Sequence, residues 1–542
     1  MQDNSNLSVL VIDPNPGMRG SLQNMLNQAN ITRIEFAVSS GTAIKQLAKR
    51  SYDILLCEYD LGSGSEDGQD GQQLLEDLRH HKLIGLWTIF IMITSEGVYS
   101  KVVSAAELTP TDYILKPFTV DVLSQRIQRA IERRTAFLPI YQLIGQGNLR
   151  QAVRACADAE AAIPRYASDF ARLRAELQLS LGELGDAEKL YCTIIDNKPA
   201  GWAHLGLART LFAQGRSEEA EGVLTKLIAD NPRLMAAYDL LARCLESHGD
   251  LARAQRVLEE AVSISPHMIR RLRKLGEVAL DAGDVLMAEK SFKQVVAKAK
   301  YSEFRNPEDH VNLVKTLLRK GDATQASGVI RDMEKSLRGN PNVDACKSIS
   351  VALLHEKAGN KAAALAELGA AVGAVRAASG LSSDIKIGLV KSCLENRLDK
   401  EASDVMLGVM NDVNSGVSPQ QAMSVFVKAG RPDLADGIGH QLKAQAQVLL
   451  SLAAEKSNMG DFKGAVQTTL EALHLSPGNL QVMMATINAI LRQLSELGWD
   501  HALAEVCRTQ VETVRKLDAA HPLLGVIGDD YAALKRKYGI ST

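Results

Sequence analysis

Four side chains stand where short apolar stretches end, and together their types can do chemistry. "LSVLVID" ends on Asp13, "YDILLCE" on Glu58, "FIMIT" on Thr94 and "TDYILK" on Lys116. Two carboxylates can hold a hard cation or accept a transferred group, while a hydroxyl and an ammonium bind the oxygens of an anion. The set works only if the four ends converge in space, so the question passes to the elements that carry them.

Residues 7–134 alternate apolar runs with helical stretches: "LSVLVID", "PGMRGSLQNMLNQA", "ITRIEFAVS", "SGTAIKQLAKR", "YDILLCE", "GQQLLEDLRHH", "WTIFIMIT", "YSKVVSAAEL", "TDYILKP" and "TVDVLSQRIQRAIERR". Five strands, each followed by a helix, predict an α/β unit around a parallel sheet buried on both faces. Such sheets gather function at the carboxyl ends of their strands, which is where the four residues sit.

After about residue 136 the strand signals stop and a repeat begins. Gly215, Gly249 and Gly283 recur at 34 residues, as do Ala220, Ala254 and Ala288, then Leu224, Leu258 and Phe292, and Pro232 with Pro266. Each unit reads as a helix, a short turn with Gly, a second helix and a Pro stop. One such unit cannot bury its apolar face alone, so a stacked array is expected. Further turns are placed at Gly147, Gly182, Gly321, Gly359, Gly460 and Gly498, with fainter ones near Arg397 and Gly430, giving roughly ten to eleven units.

Composition narrows the classes. The 542 residues are 46% hydrophobic and 23% charged, with aromatics at 4%, which favours helices packed by small side chains. Residues 1–134 hold 13 Lys and Arg against 16 Asp and Glu, and the remainder 49 against 48, so neither part has the basic excess that nucleic acid requires. Seven scattered cysteines with no CxxC pair read as small apolar residues in a reducing compartment. "LIGLWTIFIMIT" is too short to span a bilayer and "MQDNSNLSVL" lacks a basic leader, so a cytoplasmic protein is expected, with no membrane contact.

Residues 7–134 resemble the receiver domain of bacterial two-component response regulators, and most of residues 140–522 resemble the tetratricopeptide repeat (TPR) superhelix. The resemblance implies a flavodoxin-like, doubly wound α/β receiver over residues 1–134, an all-α TPR solenoid over 135–522, and a capping helix over 523–542. In the receiver family a pair of acids after the first strand and an aspartate after the third hold Mg²⁺, and that aspartate accepts a phosphoryl group. A Thr or Ser after the fourth strand and a Lys before Pro after the fifth bind the phosphate.

Carried over residue by residue, Asp13 is the first acid, Pro14 stands at the second, and Glu58 is at the acceptor position. Thr94 and Lys116 keep the phosphate-site positions, and Tyr113 falls where the family has an aromatic that swings with the hydroxyl. Asp13 is thus a remnant of the metal site, no cofactor is expected, and Glu58 sets its carboxylate one methylene further out than aspartate. Three readings follow for Glu58: an inert docking module, a standing phosphomimic paired with Lys116, or regulation by some other ligand.

The loop "GSGSEDGQDG" adds Glu66, Asp67 and Asp70 as a conceivable substitute metal site, with a solvated loop as the plain alternative. His80 and His81 are expected at a helix end or in water. Arg270, Arg271, Arg273 and Lys274 form the densest positive cluster, either a solvated face or a site for an acidic partner. Taken together, the chain reads as a non-enzymatic, cytoplasmic signalling adaptor whose TPR array binds a partner protein on its concave surface. Its coupling face is expected over residues 98–134, against the first repeats or a second subunit. The alternatives are a phosphorylation-switched regulator using Glu58 or Asp60, and a scaffold whose receiver serves only for homodimerisation.

Overall fold

Strands that are apolar at every position need cover on both faces, and the N-terminal sheet receives it. In the computed structural model, which describes residues 6–62, 70–95, 110–197, 200–266, 268–299, 305–378, 380–412, 415, 417, 419–476, 479–517 and 523–538, five strands form one parallel sheet. They are β1 (Ser8–Ile12), β2 (Arg33–Ala37), β3 (Ile54–Glu58), β4 (Ile89–Ser95) and β5 (Asp112–Lys116), in the order β2-β1-β3-β4-β5. The reversal beside β1 brings the carboxyl ends of β1 and β3 together at the sheet's switch point.

Side chains alternate between the two faces. Leu10, Ile12, Leu55, Cys57, Phe90 and Met92 pack with helices α2 (Ser40–Leu47) and α3 (Gly71–His80). Val9, Val11, Ile54, Leu56, Ile91 and Ile93 pack with α1 (Pro16–Gln28) and α4 (Val120–Gly145). Caps fix where the helices start. Asn15 accepts from the backbone of Gly17 and Met18, Ser39 and Thr42 form a capping box, and Asp70 forms another with Gln73. Helix α4 runs to Gly145 without a break at residue 134, so the sheet's last helix is also the first of the array.

The chain divides into two compact units, Met1–Gly321 and Asp322–Thr542. In the first, helix pairs follow α4, among them Gly201–Ala213 with Ser217–Asp230, Met235–Ser247 with Leu251–Ile264, and Ile269–Ala282 with Val285–Ala299. Ala220, Leu224, Ala254 and Leu258 lie in one continuous core, as their periodicity requires. Each pair turns on a left-handed residue: Gly215 at φ 80°, Gly249 at 76° and Gly283 at 86°. The amide after each reaches the carbonyl five residues back, as in Arg216 to Leu211, Asp250 to Leu245 and Asp284 to Ala279.

In the second unit, Arg397 takes the same place at φ 60°, with the Leu398 amide bonded to Cys393. A Cβ in this region costs about 1–2 kcal/mol, partly offset by the unfolded-state freedom glycine adds, so Arg397→Gly is expected to stabilise the unit by about 0.5–1 kcal/mol. Slower amide exchange across Ser383–Glu395 and Asp399–Asn411 measures it, and unchanged or faster exchange counts against it. Between the turns at Gly430 and Gly460 a single helix, Pro432–Asn458, serves both neighbours, so the 34-residue rhythm is lost there. The final helix, Leu524–Lys537, buries Ile527 and Leu534 against Ile487 and Leu494.

Candidate functional site

The carboxyl ends of β1, β3, β4 and β5 bring the four sequence-derived residues to one rim. Asp13 follows β1, Glu58 closes β3, Thr94 lies within β4 and Lys116 ends β5. Asp13 and Thr94 are each 1% exposed and Glu58 9%. The Lys116 ammonium forms an ion pair with Glu58 Oε2 and lies 3.9 Å from Asp13 Oδ2. The other Glu58 oxygen, Oε1, accepts the backbone N–H of Asp60 at 3.2 Å. One cation thus sits at two carboxylates, and the longer reach of glutamate lets it meet the amine directly.

Asp13 has a local task as well. Its Oδ1 accepts the Asn15 N–H at 2.7 Å, and Arg19 donates to its backbone carbonyl at 2.6 Å, which ties the strand end to the start of α1. Its Oδ2 is buried without a hydrogen-bond partner, facing the Lys116 ammonium. Pro14, at the expected second acid, is exposed and offers no carboxylate. Among the described residues no three His, Cys, Asp or Glu side chains are grouped to hold a metal ion. Asp13 and Glu58 thus both face the Lys116 ammonium, and Pro14 supplies no third carboxylate beside them.

Thr94 is buried in β4 opposite Leu115 of β5, and Tyr113 is opposite Met92. Tyr113 is turned inward: its hydroxyl is buried and its ring packs with the cluster containing Cys57, Leu74 and Met92. The Lys116–Pro117 peptide is cis. Burial, and then the Glu58 carboxylate, push the Cys57 thiol well up, so it is a packing residue and not a nucleophile.

Other contributors carried no signal in the four-residue pattern. Gly71 N–H donates to Tyr59 O at 2.7 Å, closing the loop after β3, and a Cβ on Gly71 would lie 2.6 Å from the Glu58 carbonyl. The Tyr59 hydroxyl donates to Asp70 Oδ2 at 3.5 Å, and burial, reinforced by Asp70, raises the phenol above its ordinary range. Asp70 is therefore the cap of α3, and burial raises its own pKa. Glu66 and Asp67 lie outside the described residues. The dipeptide Asp70–Gly71 ahead of "QQLLEDL" was the available hint of a cap.

The positive cluster in the array is largely neutralised. Arg271 makes a two-pronged pair with Asp239 at 2.8 Å, Arg273 does so with Asp309 at 2.5 and 2.9 Å, and Lys274 meets Glu246 at 2.7 Å. These pairs link first helices of successive repeats. His80 and His81 are exposed at the end of α3, with rings edge to face.

Residues 9–128 match the family model of the response regulator receiver domain, and residues 205–269 match that of the tetratricopeptide repeat. The chemotaxis protein CheY-3 of Vibrio cholerae is 26% identical over 130 residues, which is 24% of this chain and 95% of that protein. The chemotaxis protein CheY of Pseudomonas aeruginosa is 26% identical over 127 residues, covering 23% of this chain and 98% of that one. A solved tetratricopeptide repeat protein from Parabacteroides merdae is 13% identical, covering 48% of this chain and 97% of its own, with a TM-score of 0.33. No helix among the described residues is long and apolar enough to cross a membrane. The chain therefore opens with a response regulator receiver domain and continues into an all-helical array of tetratricopeptide repeats.

Proposed function

We propose that the protein is a non-enzymatic, response-regulator-like adaptor of the cytoplasm whose receiver is held by a standing charge pair and whose repeats bind a partner protein. The observation that carries this reading is the ion pair between Glu58 and Lys116. In a phosphorylated receiver the lysine answers the charge of the phosphoryl group. Here a carboxylate extended by one methylene meets it without any transfer, and Tyr113 is packed inward. Positioning supplies most of phosphoryl-transfer catalysis, and the proline at the second acid together with the lysine already engaged removes it. In this reading residues 1–134 act as the receiver, 135–522 as the array and 523–542 as its cap.

Two experiments test the reading. Full-length protein incubated with a small phosphodonor and Mg²⁺, then weighed intact, is expected to gain no phosphoryl group, and stoichiometric gain on the receiver would replace the proposal by a phosphorylation switch. A partner captured by the full chain from native lysate is expected to bind Glu58→Ala more weakly than the wild type. Equal binding to wild type, Glu58→Ala and Glu58→Asp would reduce the receiver to a passive module.

A further inference from the structure

Helix α4 belongs to two cores. Its first half, through Leu123, Ile127 and Ala130, packs on the sheet with Val11 and Ile91. Its second half, through Phe137 and Ile140, packs with Ala152 and Cys156 of the helix Leu149–Ala162 and with Phe170 of the helix Ala167–Ser180. The match to the receiver domain ends at residue 128, inside α4, and the helix continues to Gly145. The residues between the two cores therefore set the first repeat against the sheet.

Those residues are tied in opposite directions. Glu132 pairs with Arg165 at 3.2 Å, and Arg133 reaches Asp169 at 3.3 Å with its guanidinium 4.8 Å from the centre of the Phe137 ring. Both point forward, to the repeat. Arg134 points back, with Nη2 2.9 Å from Asp53 Oδ1. Asp53 stands just before β3 and is itself held from several sides. Its Oδ2 accepts the Ser8 N–H at 3.0 Å and the Ser8 hydroxyl at 2.9 Å. Its own N–H donates to the Ser8 carbonyl at 2.9 Å, and its carbonyl accepts the Ile89 N–H at 2.9 Å. One residue thus knots the amino ends of β1, β3 and β4 and fastens the middle of α4 to them.

Just beyond Arg134 the helix is weak. Pro139 has no N–H for the Thr135 carbonyl, and its ring crowds that oxygen. The Thr135 hydroxyl donates to the Ile131 carbonyl at 2.9 Å, a back-bond that favours bending.

We propose that Asp53 and Arg134 form a latch and that the turn from Thr135 to Pro139 is the hinge it guards. Closed, the latch fixes the first repeat against the receiver; open, α4 bends at that turn and the repeat swings. Strand β3 has Asp53 just before its first residue and Glu58 as its last, about 17 Å apart, so the strand that carries the charge pair also carries the latch. The inference is independent of whether Glu58 mimics a phosphate.

Distance distributions on the full chain test it, with one label on the exposed Cys192 of the array and the other on the exposed receiver position Lys49, as Lys49→Cys. The parent is expected to show one narrow distribution, Arg134→Met a clearly broader one, and Arg134→Met with Pro139→Ala a narrower one again. Amide exchange at 54–57 serves as the fold control and is expected to stay within about twofold throughout. A distribution that Arg134→Met leaves unchanged, or a broadening that Pro139→Ala does not reduce, would overturn the proposal. Should Arg134→Met expose residues 54–57, Pro139→Ala alone decides: exchange at 135–142 slowed by about threefold or more supports the hinge, and a smaller change overturns it.

Discussion

Replacing Lys116 with methionine is expected to destabilise the receiver by about 2–3 kcal/mol. The ammonium pairs with Glu58 and faces the unpartnered Asp13 Oδ2 at 3.9 Å, so its loss leaves two carboxylates at one buried rim with no counter-charge. Breaking a fully buried pair costs about 3–5 kcal/mol, and the figure is reduced here because the Lys116 side chain is 27% exposed. Methionine keeps much of the stem's packing and removes the charge, which isolates the electrostatic part. Glu58→Gln is expected to cost less, about 1 kcal/mol, because the amide still accepts from Asp60 and Lys116 keeps Asp13. In the double variant the two losses are expected to be less than additive.

A chain with a receiver, an array and two compact units does not unfold in one step, so a single melting temperature is the wrong readout. Exchange of the β1, β3 and β4 amides under conditions where they open with the whole receiver reports the loss directly. Wild-type exchange in Lys116→Met would mean that water already screens the pair, and the standing-charge reading would fail with it.

The elements were legible because their signals are local. Continuous apolar runs named the strands, the 34-residue recurrence named the helix pairs, and the receiver pattern placed Asp13, Glu58, Thr94 and Lys116 at strand ends that the sheet order brings together. What the pattern could not supply was pairing across distance. Glu58 and Lys116 are 58 residues apart, and either an empty gap or an ion pair suits the same sequence. Arg271 and Arg273 looked like a free positive patch because Asp239 and Asp309 sit a repeat away on either side. The turn at Arg397 was faint because geometry, not residue type, preserves it, and the helix Pro432–Asn458 hides a unit boundary inside regular periodicity.

Gly206→Ala in the array is expected to be destabilising by about 2 kcal/mol, although the same exchange in an open helix gains about 1 kcal/mol. Gly206 lies inside the helix Gly201–Ala213, where a Cβ would overlap the Tyr191 ring and come within 2.7 Å of its hydroxyl. The ring is 2% exposed and enclosed by Ala175, Ala187 and Ala203, so it has no free space to turn into. The added methyl must push two repeats apart, and each repeat is stable only through such neighbours.

Gly222→Ala is the internal control. It too is helical, in Ser217–Asp230, but nothing lies within 4 Å of its added Cβ, so it is expected to stabilise by about 0.5–1 kcal/mol. Amide exchange over Leu184–Asn197 and Gly201–Ala213 should therefore speed up in the first variant and slow or stay level in the second. Tyr191→Leu placed beside Gly206→Ala is expected to return part of the loss, because the smaller side chain vacates the overlap. If Gly206→Ala instead stabilises as Gly222→Ala does, the ring moves freely, and close helix approach at this glycine does not hold the repeats together.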